Sequence, residues 1–330
     1  MDSDKAPAVE SVQSTSSVSA VARPRDFIGL LRPTQWVKNV VVFAGPAAGL
    51  KLSSAVAFKD AVAAFIAFCL AASATYAIND VLDREADARH PTKRDRAVAR
   101  GAIRPSVALG IGCLLALGAA TVSTLLLNAQ VTAVLATYFT ITVAYSVTLK
   151  RRVILDVIIV ALGFVLRAWA GSLAVGVVTS EWLVACVFTL CLFMGFGKRR
   201  CELAMIGDKN EAWHHRRTLL RYTPDLLNHL ITVSAGIAVI TFLLYTMDTS
   251  AHPAPFPKEH LFYTLPLVVY GIFRFAMLTE LGVYAGPTEI VLRDRPLLMA
   301  ILLWAVCALA IAYGSTFFGP GGLEVPSGNG

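Results

Sequence analysis

From Val37 onward the chain is a succession of nine apolar segments, at about residues 37–52, 58–79, 105–127, 129–147, 155–176, 181–199, 226–247, 259–279 and 296–317. Most approach the ~20 residues that an α-helix needs to cross a hydrocarbon core. Lipid offers the backbone no hydrogen-bond partner, so such segments must satisfy their peptide groups internally. The expected fold is all-α, a polytopic bundle of nine transmembrane helices. Composition agrees: 56% of the 330 residues are hydrophobic and 15% charged, against about 45–50% and about 25% in a soluble domain.

The flanks complete the plan. Residues 1–24 are rich in Ser, Ala and Val, with no basic stretch leading into an apolar core. They read as a disordered N-terminal tail rather than a signal peptide. Residues 25–317 form the membrane domain, opening on an interfacial helix in Asp26–Asn39 where Phe27, Leu30, Leu31 and Trp36 accompany Arg32 and Lys38. Gly45-Pro46 bends the first span. Residues 318–330 read as a flexible tail.

Charge sets the orientation. Basic residues crowd alternate loops: Arg84 to Arg104, Lys150 to Arg152, Lys198 to Arg221, and Arg293 with Arg295. The intervening loops are nearly uncharged, although the first carries Lys51 and Lys59. The positive-inside rule puts the basic loops and the N-terminus in the cytoplasm and the C-terminus outside. The net charge of +7 therefore reports topology, and nucleic acid is not an expected partner.

Chemistry concentrates at that face. Asn79, Asp83 and Asp87 recur at four-residue spacing and Asp80 lies three before Asp83, so all share one helix face. Carboxylates packed so closely repel one another and call for positive charge. The loop Arg89 to Arg96 supplies Lys93 and Arg94, suited to phosphate. Mg²⁺ would supply the rest, since it favours a few carboxylates together with substrate phosphate oxygens. A solvated helix end is the plain alternative, but such ends seldom abut a span.

Two further constellations follow. Tyr145, Lys150 and Asp156 precede Arg167, which falls within the fifth span. An ionisable residue at that depth is a functional candidate or a bridge to another helix. Asp156 is about 16 Å along the same helix, too far to pair with Arg167. Lys198 and Glu202 share a face at i, i+4, with Arg199 between them and Asp208 beyond. This second cluster is expected to face the first. The six cysteines lack ligand spacing and read as small buried hydrophobes. His214-His215 point to different helix faces and are not read as metal ligands.

The N-D-x-x-D-x-x-x-D pattern at Asn79, Asp80, Asp83 and Asp87, with Tyr145, Lys150, Asp156, Arg167 and the span count, resembles the UbiA superfamily of membrane prenyltransferases over about residues 26–317. A second D-x-x-x-D motif, usual in that superfamily, is replaced by Lys198-Arg199-Arg200-Cys201-Glu202. That form, together with Arg32-Pro33-Thr34-Gln35-Trp36-Val37-Lys38-Asn39, resembles the decaprenyl-phosphate phosphoribosyltransferase branch. The resemblance implies phosphoribosyl diphosphate as donor, polyprenyl phosphate as acceptor, Mg²⁺ as cofactor and an arabinan precursor as product, in a bacterial inner membrane. A homo-oligomer such as a trimer is compatible with it.

On this reading Asp80, Asp83 and Asp87 hold Mg²⁺ and carry catalysis, with Asn79 as a further oxygen donor. Lys38, Lys93, Arg94, Tyr145, Lys150, Arg167, Lys198, Arg199 and Glu202 bind the substrates. Two rivals remain: an aromatic prenyltransferase of the same fold, and an anionic-solute transporter. The transporter requires polar residues through the depth of several spans, whereas here they gather at one face.

Overall fold

The computed structural model describes residues 22–90, 93–205, 219–248 and 256–318. Asp208, His214-His215 and most of both expected tails lie outside the described residues. Helix α1 begins at Pro24, inside the stretch expected as tail, and runs to Leu31. A 3₁₀ segment, Pro33–Phe43, then continues into the short helix α2, Ala44–Ala48. The longer helices are α3 (Ala55–Leu82), α5 (Pro105–Leu126), α6 (Ala129–Val147), α7 (Leu155–Ala174), α8 (Glu181–Ala204), α9 (Pro224–Met247), α10 (Leu265–Leu281) and α12 (Arg295–Phe318). Short helices α4 (Arg84–Arg89) and α11 (Pro287–Arg293) sit between them.

Among the described residues, eight helical stretches are long and apolar enough to cross a membrane. The first expected span differs in kind. Its residues still traverse the bundle: Arg32 meets Asp80 near the end of α3, while Gly45 and Gly49 lie against Ser172 and Val177 at the far end of α7. A 3₁₀ helix rises about 2.0 Å per residue against 1.5 Å in an α-helix. Eleven 3₁₀ residues and five α residues therefore reach about 30 Å, enough to cross a hydrocarbon core. Gly171 is what admits this segment, because a Cβ there would lie 1.7 Å from the Val42 carbonyl oxygen.

Two cores flank α7. One packs an alanine face of α3 (Ala64, Ala67, Ala71) with Val42, Ala119, Val131, Leu135 and Ala170. Small residues let these helices approach closely, as membrane interfaces require. The other joins Val157 to Phe193, Phe196, Leu227, Ile231, Phe275 and Leu297. Arg167 and Asp156 thus project from a helix shared by both halves.

Candidate active site

The acidic motif survives the end of α3. Asp83 caps that helix, yet its N–H still bonds to Asn79 O at 2.9 Å, and the Asp87 N–H bonds to Asp83 O at 2.8 Å. The helical rise continues through the cap into α4, which keeps the carboxylates together. Asp80 and Asp87 are buried and Asp83 half-buried. Asp80 pairs with Arg32 and, at 3.2 Å, with Arg96; Arg96 also reaches Asp87 at 2.6 Å. One guanidinium thus relieves the repulsion between two carboxylates.

The basic turn that carries Arg96 is itself anchored. Arg100 pairs with Asp26 of α1, while Val98 and Ile103 pack against Leu30, Ala77 and Ala108. The Asp26 carboxyl accepts the Arg23 N–H at 2.9 Å. That bond and the Arg100 guanidinium hold its pKa below the usual carboxylate value.

Lys150 reaches the cluster from the turn between α6 and α7. It donates to Asp83 and, at 3.4 Å, to Asn79 Oδ1. Beyond it lies the second charged group. Arg199 forms a 2.9 Å ion pair with Asp156 and donates to Glu202 at 2.5 Å, and Glu202 lies 3.7 Å from Lys198. The Arg199 Nε–H does not point squarely at Asp156, so that contact is an ion pair without a formed hydrogen bond. The Tyr222 hydroxyl donates to Asp156 at 2.8 Å. Tyr145 lies within electrostatic reach of Arg199.

Deeper in the bundle, Arg167 donates to Asn39 Oδ1 and to the Tyr138 hydroxyl, both at 2.7 Å, and stacks over the Tyr138 and Phe164 rings. It is a bridge between three helical segments. Lys38 is half-buried, and the charges acting on it are those of Lys198, Arg167 and Arg32, all positive. A half-buried ammonium surrounded by cations is suited to an anion.

The structure therefore brings Asn79, Asp80, Asp83, Asp87 and Lys150 into one group, and Lys198, Arg199 and Glu202 into a second. Lys38 lies within electrostatic reach of Arg32, Arg167 and Lys198. Lys93 is half-buried and Arg94 exposed on the turn that carries Arg96. Sequence reasoning passed over Arg32 and Arg96 as partners of the carboxylates, and Tyr138 and Tyr222 altogether. Arg32 did carry a signal, lying immediately before Pro33 at a helix break.

Among the described residues, no three His, Cys, Asp or Glu side chains converge as a ready metal cage. The donors at Asp80, Asp83, Asp87 and Asn79 are nonetheless all hard oxygens. Mg²⁺ characteristically takes one or two carboxylates and completes its shell with substrate phosphate and water. The donor set fits that ion.

These features gather clustered carboxylates and cations at one end of a helical bundle whose helices are long and apolar enough to span a membrane. The model of the UbiA prenyltransferase family matches residues 40–254, and the chain belongs to that family. It is 34% identical to the decaprenyl-phosphate phosphoribosyltransferase of Corynebacterium glutamicum over 87% of this chain and 86% of that protein. It is also 34% identical to the enzyme of the same name from Mycolicibacterium smegmatis, over 84% and 89%. Among solved structures, a UbiA homologue from Archaeoglobus fulgidus bound to DMAPP and Mg²⁺ superposes with a TM-score of 0.66. That match has 16% identity and covers 87% of this chain and 99% of the other.

Proposed function

We propose that this chain is a multi-pass membrane phosphoribosyltransferase that moves a 5-phosphoribosyl group from phosphoribosyl diphosphate to a polyprenyl phosphate. The carrying observation is the 34% identity to two decaprenyl-phosphate phosphoribosyltransferases across more than four-fifths of every chain compared. The chemistry of the site supports it. An oxygen of the lipid phosphate attacks ribose C1, the C1–O bond to diphosphate breaks, and diphosphate leaves with the bonding electrons. The nucleophile is already anionic at neutral pH, so the site needs no strong base. Direct displacement inverts C1.

Lys150, Arg96 and Arg32 stand where a diphosphate beside the carboxylates would meet positive charge, stabilising the charge that grows as it departs. Asp80, Asp83 and Asp87 would hold Mg²⁺ with Asn79 alongside; bound there, the ion neutralises diphosphate charge. Lys38 and Lys198 offer charge to a second phosphate group. We place this end of the bundle in the cytoplasm of a bacterial cell, on the asymmetry of basic loops, with the product serving arabinan assembly.

The test is a Mg²⁺-dependent assay with radiolabelled phosphoribosyl diphosphate and decaprenyl phosphate in detergent or nanodiscs. Label should enter the lipid and disappear with chelator. Unlabelled lipid, with turnover of a prenyl diphosphate and an aromatic acid instead, would overturn the reading.

A further inference from the structure

Just before α7 the chain makes a turn that an isoleucine does not favour. Ile154 has φ 68° and ψ −50°, and the Leu155 N–H donates to Val153 O at 2.8 Å. This i→i+2 bond closes a γ-turn of the rare positive-φ kind, strained for a residue with a Cβ and more so for a β-branched one. Such strain persists only where the surroundings hold it.

The hold is a tyrosine from the other half of the molecule. The Tyr222 hydroxyl accepts the Ile154 N–H at 2.6 Å and donates to Asp156 at 2.8 Å. Thr223 caps α9 by accepting the Leu226 N–H, with Pro224 next, so the chain is fixed immediately after Tyr222. Burial pushes the Tyr222 phenol above its usual pKa, which keeps its proton available to Asp156 at neutral pH. Asp156, fully buried, also pairs with Arg199.

Upstream of this turn, Lys150 sits on a single 3₁₀ turn, Leu149–Arg151. No long helix fixes its direction. Its approach to Asp83 and Asn79 depends on where the chain bends into α7.

We propose that Tyr222 is a positioning residue for phosphoribosyl transfer: by holding the strained turn at Ile154 it aims Lys150 at the carboxylates after α3, and through Asp156 it registers that group against Arg199 on α8. The role assigned to Lys150 rests on the function given above. Without the hydroxyl, the Ile154 N–H and Asp156 each lose a partner, the turn relaxes and Lys150 swings away. A cation must be placed accurately to meet charge that develops on the leaving group, so the rate suffers more than binding does.

The experiment uses the full chain in nanodiscs with Tyr222→Phe. The expected kcat falls on the order of tenfold while KM for phosphoribosyl diphosphate stays within about twofold. Amide hydrogen exchange in residues 149–156 should accelerate. Adding Ile154→Gly to Tyr222→Phe should restore most of the rate, because glycine adopts positive φ without steric cost. Exchange in 149–156 unchanged by Tyr222→Phe, or a lost rate that Ile154→Gly does not recover, overturns the proposal. If Tyr222→Phe alone fails to insert, the double variant decides: folding and turnover uphold the proposal, and failure to fold overturns it. A wild-type chain that leaves the lipid unlabelled refutes the functional reading separately, and the exchange comparison still decides whether Tyr222 holds the turn.

Discussion

After α3 each ion pair keeps one hydrated side chain beside a buried one: Arg32 is 20% exposed against 5% for Asp80, Arg96 27% against 6% for Asp87, and Asp83 29% against 11% for Lys150. Between α7 and α8, Asp156 and Arg199 keep 0% and 7%. Both groups pair carboxylates with cations, and both lie at the same end of the bundle. Their hydration separates their roles. A buried ion pair that loses one member leaves an unpaired charge away from water, so it does not exchange partners readily. A partly hydrated pair gains little and costs little to break. On the proposed function, the first group is the one suited to hand its arginines and lysine to an incoming diphosphate, with the second as a fixed frame around it.

The largest effect expected from this contrast is on turnover. Asp83→Asn should lower transfer by about 10²–10³-fold or more, the scale seen when one preorganised electrostatic contact is removed. The protein should remain inserted with a small change in thermal unfolding midpoint, because Asp83 is half-exposed, the amide that replaces it keeps an oxygen for Lys150, and Lys150 also donates to Asn79. The labelled-donor assay beside a melting curve checks both halves. Full activity in Asp83→Asn would remove the carboxylate cluster from the mechanism.

The second group should respond in the opposite currency. Asp156→Ala removes the buried partner of Arg199 and an acceptor of Tyr222, and should destabilise the chain by about 3 kcal/mol. Glu202 remains beside Arg199, which keeps the loss toward the low end of the range for buried pairs. Denaturant unfolding in micelles measures it. A loss under about 1 kcal/mol, as for an exposed pair, would erase the distinction between the two groups. Arg32→Ala is the matched comparison. Its stability change should be smaller than that of Asp156→Ala, because Arg96 still serves Asp80 and Arg32 itself is partly hydrated, but binding of labelled inorganic diphosphate should weaken several-fold.

How far these groups could be read in advance follows from the range of the forces involved. The four-residue spacing of Asn79, Asp83 and Asp87 is a local regularity, and helix geometry alone makes it a shared face. The long spans are equally local, since apolar length decides them. The crossing by residues 33–48 is not. Pro33, the Val40-Val41-Val42 run and Gly45-Pro46 mark an irregular segment, but its extended 3₁₀ form depends on the close approach allowed by Gly171, more than a hundred residues away. Arg32 and Arg96 became partners of Asp80 because α1 and the 93–104 turn fold back over the end of α3. Tyr138 and Tyr222 sit in or beside apolar stretches, where a tyrosine gives no sign that its hydroxyl will meet Arg167 or Asp156.

The smallest effect lies outside both groups and calibrates them. Asp294 precedes α12, accepts the Leu297 N–H at 2.9 Å, and takes two hydrogen bonds from Arg274 at 3.1 and 2.8 Å. The Arg274 hydrogen bonds, against some desolvation, hold its carboxyl below the usual carboxylate value. A depressed folded pKa means that the unfolded chain binds the proton first as pH falls. The stabilisation is therefore complete above about pH 4 to 5 and is lost as pH drops through the lowered folded value. Asp294→Asn keeps an oxygen for the helix cap but carries no charge, so its deficit relative to wild type should shrink as unfolding is measured from pH 6 down to pH 3. Asp156, shut away from water with Arg199, should give a larger deficit at pH 6 than Asp294 does. If the two aspartates instead cost the same at pH 6, hydration would not be what distinguishes the framework around the site from an ordinary helix-end ion pair.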